Sequence, residues 1–579
     1  MQRVRTILLI GSLSFAGSIL SGCKQATQPP AAAPAPGPAA SRAPAHSLPQ
    51  TPPTVAAWAE GAMLFEGLGD FHRKIHTSSD DAQRYFDQGM RFMWAFNHDE
   101  ATRSFAKAAQ LDAHCAICYW GVALTVGPNY NLPFLAAERA QVAWEALGLA
   151  QKYAPEGSSV DQALIAALGK RYPNAQPLDP AAAAPVLTSY AAAMKDVAQS
   201  FPNDLDVQTL YAEALMNTNA WKLWTADGQP APGTLEIVST LESVLQRDPT
   251  HPGANHYYIH AMEASPQPQK ALPSAGRLQG MMPAAGHLEH MPAHILQRVG
   301  EYEGAADANR KGISADLAYL AKTKPLDYYG MYVGHNYQFL AFSTAMEGRR
   351  AETLTAVRGA RGAIPEAMLL AMPGSDWTLT AEYAATVRFG LWSDMLAKPA
   401  PNAKLIGMTG GYLYGRAVAL ASTNHIPEAK QTLSDLERLS ASVPADASSG
   451  FNRTRDLLAV AIDVVRGRIA AAENQPDAAV SALRNAVARE DKLSYNEPSD
   501  WFFPVRHLLG AELLRNGRAD QAEAVYREDL RRNPNNGWSL YGLSAALQAQ
   551  HEAAEALATH RQFEAAWQNS DVTLTASAF

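Results

Sequence analysis

The sequence predicts an all-α protein, and three observations carry that prediction. Apolar residues recur at helical spacing almost everywhere beyond residue 60, with no convincing strand alternation. Small, large and helix-stopping residues return at an interval of 34. The 579 residues are 47% apolar and 18% charged, so the chain can bury a core and is neither collagen-like nor wholly disordered. A net charge of −8 argues against a nucleic-acid binder, which normally carries a basic surplus. Three cysteines are too few for a disulfide-built scaffold.

The chain opens with an address. Arg3 and Arg5 precede the apolar run Thr6 to Leu20, and residues 1–22 read as a secretory signal. That run is too short, and too rich in Gly and Ser, for a comfortable membrane span. The ending Leu20-Ser21-Gly22-Cys23 resembles the bacterial lipobox, which implies that Cys23 is lipidated and becomes the first mature residue. Lys24 stands where an inner-membrane retention signal usually has Asp, so the resemblance implies an outer-membrane anchor facing the periplasm. Residues 23–59 follow as a tether, with nine prolines from Pro29 to Pro53 among many alanines. Such a segment favours polyproline II, roughly 3.1 Å per residue, and cannot pack a core. Folding is expected to begin near residue 60 and to occupy 60–579.

In 503–536, Leu509, Gly510, Gly517, Ala522, Tyr526 and Pro534 fall in a helix-pair register. Small residues at 510 and 522 let two helices approach, Tyr526 fills the hole between them, and Pro534 stops the second helix. Tyr85, Gly89, Phe92, Ala101, Phe105 and Ala108 repeat the register in 82–115. Pro249 ends another unit, so one starts at 252, and Gly300 as a turn glycine starts the next at 286. This resembles the tetratricopeptide-repeat superfamily, which implies a right-handed solenoid of antiparallel helix pairs whose concave face is lined by each first helix. The repeats are clearest at 82–126, 250–350 and 503–566, and degenerate at 135–245 and 365–500. The segments Phe96 to Ala101, Cys118 to Gly121, Gly127 to Asn129, His287 to Ile295 and Asn536 to Leu540 also resemble a narrower family of bacterial secreted, lipoprotein-type repeat proteins. That resemblance adds to the fold and little to function.

The repeat aligns histidines. His256 and His290 occupy position 5 of adjacent units, 34 residues apart, and His260 and His294 share position 9. Positions 5 and 9 are i and i+4, hence one helix face, which in this architecture is the concave one. Neighbouring first helices pack roughly 8–10 Å apart, so the imidazoles can converge. Glu263 lies one turn beyond His260, and His287 one turn before His290. Gly348, taken as a turn glycine, starts a helix at 334 and brings His335 into register. Neutral imidazole is the commonest protein metal ligand, and an i,i+4 pair has the bite a metal needs. A divalent zinc, copper or iron ion is the expected cofactor, with Glu263 as a further ligand or a catalytic base. Two blander readings stand beside it: a polar ligand pocket without metal, and histidines that only hydrogen-bond or cap helices.

Tyr257, Asn336 and Tyr337 are candidates to line a ligand pocket, and Tyr328, Tyr329 and Tyr332 crowd the approach to His335. Met281, Met282 and Met291 would be soft copper ligands, with core filling as the plainer role. Cys115 and Cys118 fit a local disulfide, free structural thiols, or metal or redox chemistry. A haem c attachment is excluded because Tyr119, not His, follows Cys118. His98 either faces the groove or caps a helix, and Glu497 is read as a solvated loop residue. No nucleophile elbow, Walker loop, dinucleotide fingerprint or paired-carboxylate pattern is present.

Two functions follow. One is a metal-dependent enzyme, hydrolase or oxidoreductase, built in the groove on His256, His260, His290 and His294, with a small molecule or peptide as its ligand. The other is a non-catalytic periplasmic scaffold that binds a peptide or protein. Peptide-binding members of the superfamily usually place Lys, Asn or Arg at groove positions 5 and 9, and histidines there argue against that clamp. Beyond the lipid anchor at Cys23, no nucleic-acid partner is expected.

Overall fold

Helix signals in the sequence are answered by helices in the computed structural model, which describes residues 51–133, 135–177, 180–323 and 329–579. The signal segment, Cys23, most of the tether and Tyr328 lie outside the described residues. Among the described residues the fold is an all-α, tetratricopeptide-like solenoid whose only sheet is the two-residue pairing of Ser448–Ser449 with Asn452–Arg453. No described helix is long and apolar enough to cross a membrane.

Helix starts follow from capping chemistry. Ser79 accepts a hydrogen bond from Ala82 N at the head of Asp80–Trp94, and Asn97 accepts from Glu100 N at the head of His98–Leu111. The helix Pro252–Met262 has proline at its first position, and its cap is His251, whose ring nitrogen accepts from Ala254 N. Sequence neighbours then pair, as Asp80–Trp94 does with His98–Leu111 and Gly537–Ala549 with Ala553–Ala566. Small residues set the distance between paired helices. A methyl group at Gly89 or Gly121 would overlap the Phe105 ring, and one at Gly510 or Gly542 would overlap Tyr526. This is the small–large–small packing read from the repeat.

One large apolar core runs from Val55 to Ile295 and a second from Trp377 to Ala556. Between them, Trp538 Nε1 donates to Ala345 O and Tyr319 OH donates to Glu100. The chain thus makes contacts far beyond nearest repeats.

Three local features depart from the sequence reading. Packing starts before residue 60: the helix Val55–Ala59 buries Trp58 completely, with the Arg103 and Arg139 guanidinium groups 5.7 Å from its ring. The helix expected from 286 is broken into Gly286–His290 and Pro292–Arg298, because Pro292 has no N–H to continue the ladder. The helix bearing His335 begins at Tyr329 rather than 334, after a 21-residue helix Tyr302–Lys322 that exceeds the repeat's usual second helix.

Candidate metal centre

Six histidines meet at one end of the first core. His256 and His260 come from Pro252–Met262, His287 and His290 from Gly286–His290, His294 from Pro292–Arg298, and His335 from Tyr329–Met346. Their ring centroids form a chain of contacts: 4.9 Å for His256–His260, 5.0 Å for His256–His287, 4.8 Å for His290–His294 and 4.9 Å for His290–His335. His260 and His294 link the two halves at 5.7 Å. The break at Pro292 leaves His290 and His294 side by side, so the i,i+4 pairing survives it. Five of the six are buried, and His335 is half-buried.

The outward nitrogen of each of four histidines is held. Nδ1 of His256 lies 2.6 Å from Trp94 O, and Nδ1 of His290 lies 2.7 Å from Asn309 Oδ1. Trp94 O and Asn309 Oδ1 can only accept, the latter because Asn309 Nδ2 is engaged with Ala305 O. Nδ1 of His260 lies 3.1 Å from Glu263 Oε1. Nδ1 of His294 sits 2.8 Å from both Glu263 Oε2 and Glu497 Oε2. Such partners fix ring orientation and turn the Nε2 of His256, His260 and His290 inward as a lone pair. Inside, Nε2 of His256 lies 3.2 Å from Nε2 of His287, and Nε2 of His290 lies 2.9 Å from Nε2 of His294.

Three buried polar atoms here, His260 Nε2, His287 Nδ1 and Glu497 Oε1, have no hydrogen-bond partner, while His294 Nδ1, Glu263 Oε2 and Glu497 Oε2 meet one another only as ion pairs. Buried polar groups are nearly always paired, and unmet ones concentrated in one place call for an explanation. Donor atoms gather within 4.8 Å of one another in three sets: His256, His260 and His287; His290, His294 and His335; and Glu263, His294 and Glu497.

Burial lowers the pKa of His256, His260, His287 and His290 and holds His335 at about 3, so these rings are neutral at pH 7. Burial also opposes a charge on His294, but Glu263 and Glu497 outweigh it and hold this imidazole up at about 9. For Glu263, burial is outweighed by His260 and His294, which keep it below the usual carboxylate range. For Glu497, burial prevails and raises it.

Aromatic rings close the site. Phe96 lies 4.5 Å from His256 and 5.8 Å from both His260 and His287, and Phe339 lies 4.6 Å from His294 and 4.9 Å from His290. Tyr130 and Trp221 cover His260, and Trp221 is stacked in turn by the exposed Phe451 at the hairpin tip. Phe96 occupies the turn position that Gly300, Gly348 and Gly517 fill in other units, and takes φ 53° there. Trp221 takes φ 61°. Bulky residues in the left-handed region are outliers that persist where surrounding structure enforces them. Both touch the histidines.

The expected site residues therefore divide. His256, His260, His287, His290, His294, His335 and Glu263 are brought together, in an enclosed chamber rather than an open groove. Glu497 is corrected from a solvated loop residue to a buried member of the cluster, 2% exposed. Tyr257 forms a wall, its ring 5.3 Å from Phe96 and 5.9 Å from Trp94. Asn336 lies behind the chamber, donating Nδ2 to Asp316. Tyr337 is not in the site: its ring packs against Gly359 of the following helix. Met281 and Met282 line a separate cleft with Gly69 and His251, which none of the six clustered histidines borders. Of the three readings of Cys115 and Cys118, the structure has the disulfide. His98 accepts from Asn129 Nδ2 behind Phe96 and is not a donor to the cluster.

Sequence reasoning missed Glu497, Phe96, Phe339, Tyr130, Trp221 and Phe451. Only Phe96 carried a local signal, a large residue where the repeat wants a turn glycine.

No protein-family model matches the chain, and no curated protein matches it. Similar solved structures include human IFIT1, a dimer with m7Gppp-AAAA, at 13% identity over 84% of this chain and 90% of that one, with a TM-score of 0.30. The Cut9–Hcn1 hetero-tetramer of the APC/C matches at 13% identity over 86% and 76%, TM-score 0.29. Yeast Tom70 matches at 13% over 83% and 96%, TM-score 0.27. The fold assignment rests on the helix packing described above. Fold and site together define a tetratricopeptide-like α-solenoid that encloses a histidine–carboxylate cluster.

Proposed function

We propose that this chain is a lipid-anchored, periplasm-facing protein of the outer membrane whose solenoid encloses a divalent transition-metal centre supporting hydrolytic or redox chemistry. One observation carries the metal reading: inward-facing imidazole nitrogens at 3.2 and 2.9 Å, beside buried polar atoms without aligned partners. Two nitrogens bonded to one ion at 2.0–2.1 Å stand about 2.9 Å apart at a right angle and about 3.3 Å apart at a tetrahedral angle. The observed separations match these spans, which supports the reading. Zinc, copper and iron all accept imidazole.

Three histidines leave a coordination position for water or substrate. Glu263 orients His260 and His294, and this fixed role leaves Glu497, the carboxylate raised by burial, as the better proton carrier near neutral pH. The test is elemental analysis of purified, untagged protein from metal-replete medium, beside a His256→Ala/His290→Ala variant. Stoichiometric metal in the parent and none in the variant is expected; a metal-free parent ends this reading. The anchor is tested separately: Cys23→Ser should move the protein from the membrane fraction to the soluble periplasmic one.

A second reading, a partner-binding scaffold, is favoured by a small aromatic cleft, about 40 Å³ in volume, lined by Trp377, Tyr414, Asp500, Trp501, Phe502 and Phe503. It predicts that aromatic peptides quench tryptophan fluorescence equally in metal-loaded and metal-stripped protein.

A further inference from the structure

We infer that the chamber holds two metal ions rather than one, each bound by three imidazoles, and admits only a small exogenous ligand. This rests on the metal reading above and adds number, partition and ligand size to it.

The donors divide naturally. Of the three donor sets, two are all-histidine and share no residue, His256, His260 and His287 in one and His290, His294 and His335 in the other, each with its ligand atoms within 4.8 Å; the third, Glu263, His294 and Glu497, meets the second only at His294. Each set contains one close Nε2–Nε2 pair, 3.2 Å for His256–His287 and 2.9 Å for His290–His294. A single ion binds about four to six donors and would leave part of this array unmet. Two ions account for both close pairs, with His260 and His335 as third ligands.

The supporting partners divide the same way. Trp94 O orients His256 and Asn309 orients His290, one anchor for each set. Glu263 serves both, since Oε1 meets His260 Nδ1 and Oε2 meets His294 Nδ1. It stands outside both triads and ties their orientations together. The triads are neighbours: rings approach across the divide at 5.7 Å for His260–His294 and 5.8 Å for His287–His290.

Room for a ligand is limited. The Phe96 ring covers one triad and the Phe339 ring the other. The cleft that reaches His287, between Phe96 and Tyr332, has a cavity volume of about 10 Å³, room for about one water molecule. Pockets for drug-sized ligands run roughly 300–1,000 Å³, so a ligand at the ions has only a few atoms.

The experiment loads the full chain with copper(II) after chelator stripping and measures bound metal per chain. Two equivalents are expected for the parent and for Tyr337→Phe, whose ring packs against Gly359 outside the site. One is expected for His287→Gln, which disables the first triad, and one for His335→Gln, which disables the second. Circular dichroism confirms that each variant is folded, and His256→Gln or His290→Gln replaces one that is not. The two-copper form should show dipolar coupling between the ions by electron paramagnetic resonance, absent from both single-triad variants. Azide should perturb the parent spectrum, whereas imidazole carrying a phenyl substituent should not. A parent saturating at one equivalent overturns the pair while leaving the metal centre intact, and a parent binding none overturns both. Any other stoichiometry, independent spectra from two ions, or ready binding of the bulky imidazole overturns the inference as stated.

Discussion

Glu497 places a carboxylate oxygen 2.8 Å from Nδ1 of His294, joining a loop of the C-terminal half to a short helix in the middle of the chain. Glu263 holds the same nitrogen at the same distance from the opposite arm. Two carboxylates on one imidazole make its orientation, and the basicity of its other nitrogen, depend on both halves. Carboxylates that support metal-ligating histidines typically contribute 10–100-fold in affinity. Glu497→Gln should therefore weaken metal binding about tenfold in chelator competition, and Glu263→Gln, which touches two histidines, should cost more. Parental affinity in both variants would remove the orienting role.

Trp221 covers His260 while Phe451 covers Trp221, so access from that side runs through two stacked rings. Trp221 is half-buried and Phe451 exposed, so on this side two rings separate His260 from solvent. Trp221→Ala should speed metal removal by a chelator about tenfold or more without a matching loss of equilibrium affinity. Stopped-flow dissociation beside equilibrium titration separates the two. Equal rates in parent and variant would mean that ions leave by another path.

Gly253 lies under the Trp94 indole, so closely that a methyl group there would overlap the ring. The carbonyl of Trp94 in turn holds His256 Nδ1. Gly253→Ala should cost about 1–3 kcal/mol through overpacking and should also weaken metal binding, because the displaced residue is the anchor of a ligand. Thermal unfolding of stripped and loaded protein distinguishes these effects: the gap between the two melting temperatures should shrink. Gly276→Ala, which meets nothing within 4 Å, is the control and should leave the gap unchanged.

The difference between what could and could not be read in the sequence has a physical basis. Gly89, Phe105, Gly510 and Tyr526 act within one helix pair or between adjacent ones, so a 34-residue interval exposes them. The four in-phase histidines follow the same rule, since repeat equivalence places them on adjacent helices. Glu497 and Trp221 reach the chamber through tertiary closure of the solenoid, which no periodicity encodes. Tyr337 shows the converse error: adjacency to His335 and Asn336 in sequence says nothing about direction, and on a helix the next residue points about 100° away. Pro292 was visible, but a broken helix that still keeps its two histidines together required the neighbouring elements to be in place.

Acid should destabilise the metal-stripped protein through its buried histidines. Burial, with Arg171 and Arg139 nearby, holds His98 down at about 3, and burial keeps His256, His287, His290 and His335 neutral in the folded state. In the unfolded chain these rings titrate near 6.5, so below that pH the unfolded state binds more protons and stability falls as pH falls. Each such histidine contributes up to about 1.4 kcal/mol per pH unit until its folded pKa is reached. His294 acts oppositely: with its folded pKa raised to about 9, its contribution is fully present below 6.5 and is lost as pH rises through 9. His260 and His507 are lowered by burial in the same way, so seven histidines against one make the stripped protein lose stability from pH 6.5 toward pH 5, offset in part by the carboxylates of Asp316, Glu347 and Glu497, which burial raises to about 7. Metal binding requires the same neutral imidazoles, so protons and metal compete for the six-histidine cluster once pH approaches the folded values. The stabilisation by metal should then disappear at low pH, which calorimetric melting of stripped and loaded protein between pH 4 and 9 will measure. A stripped protein equally stable at pH 5 and pH 7 would contradict the buried, neutral state of these histidines.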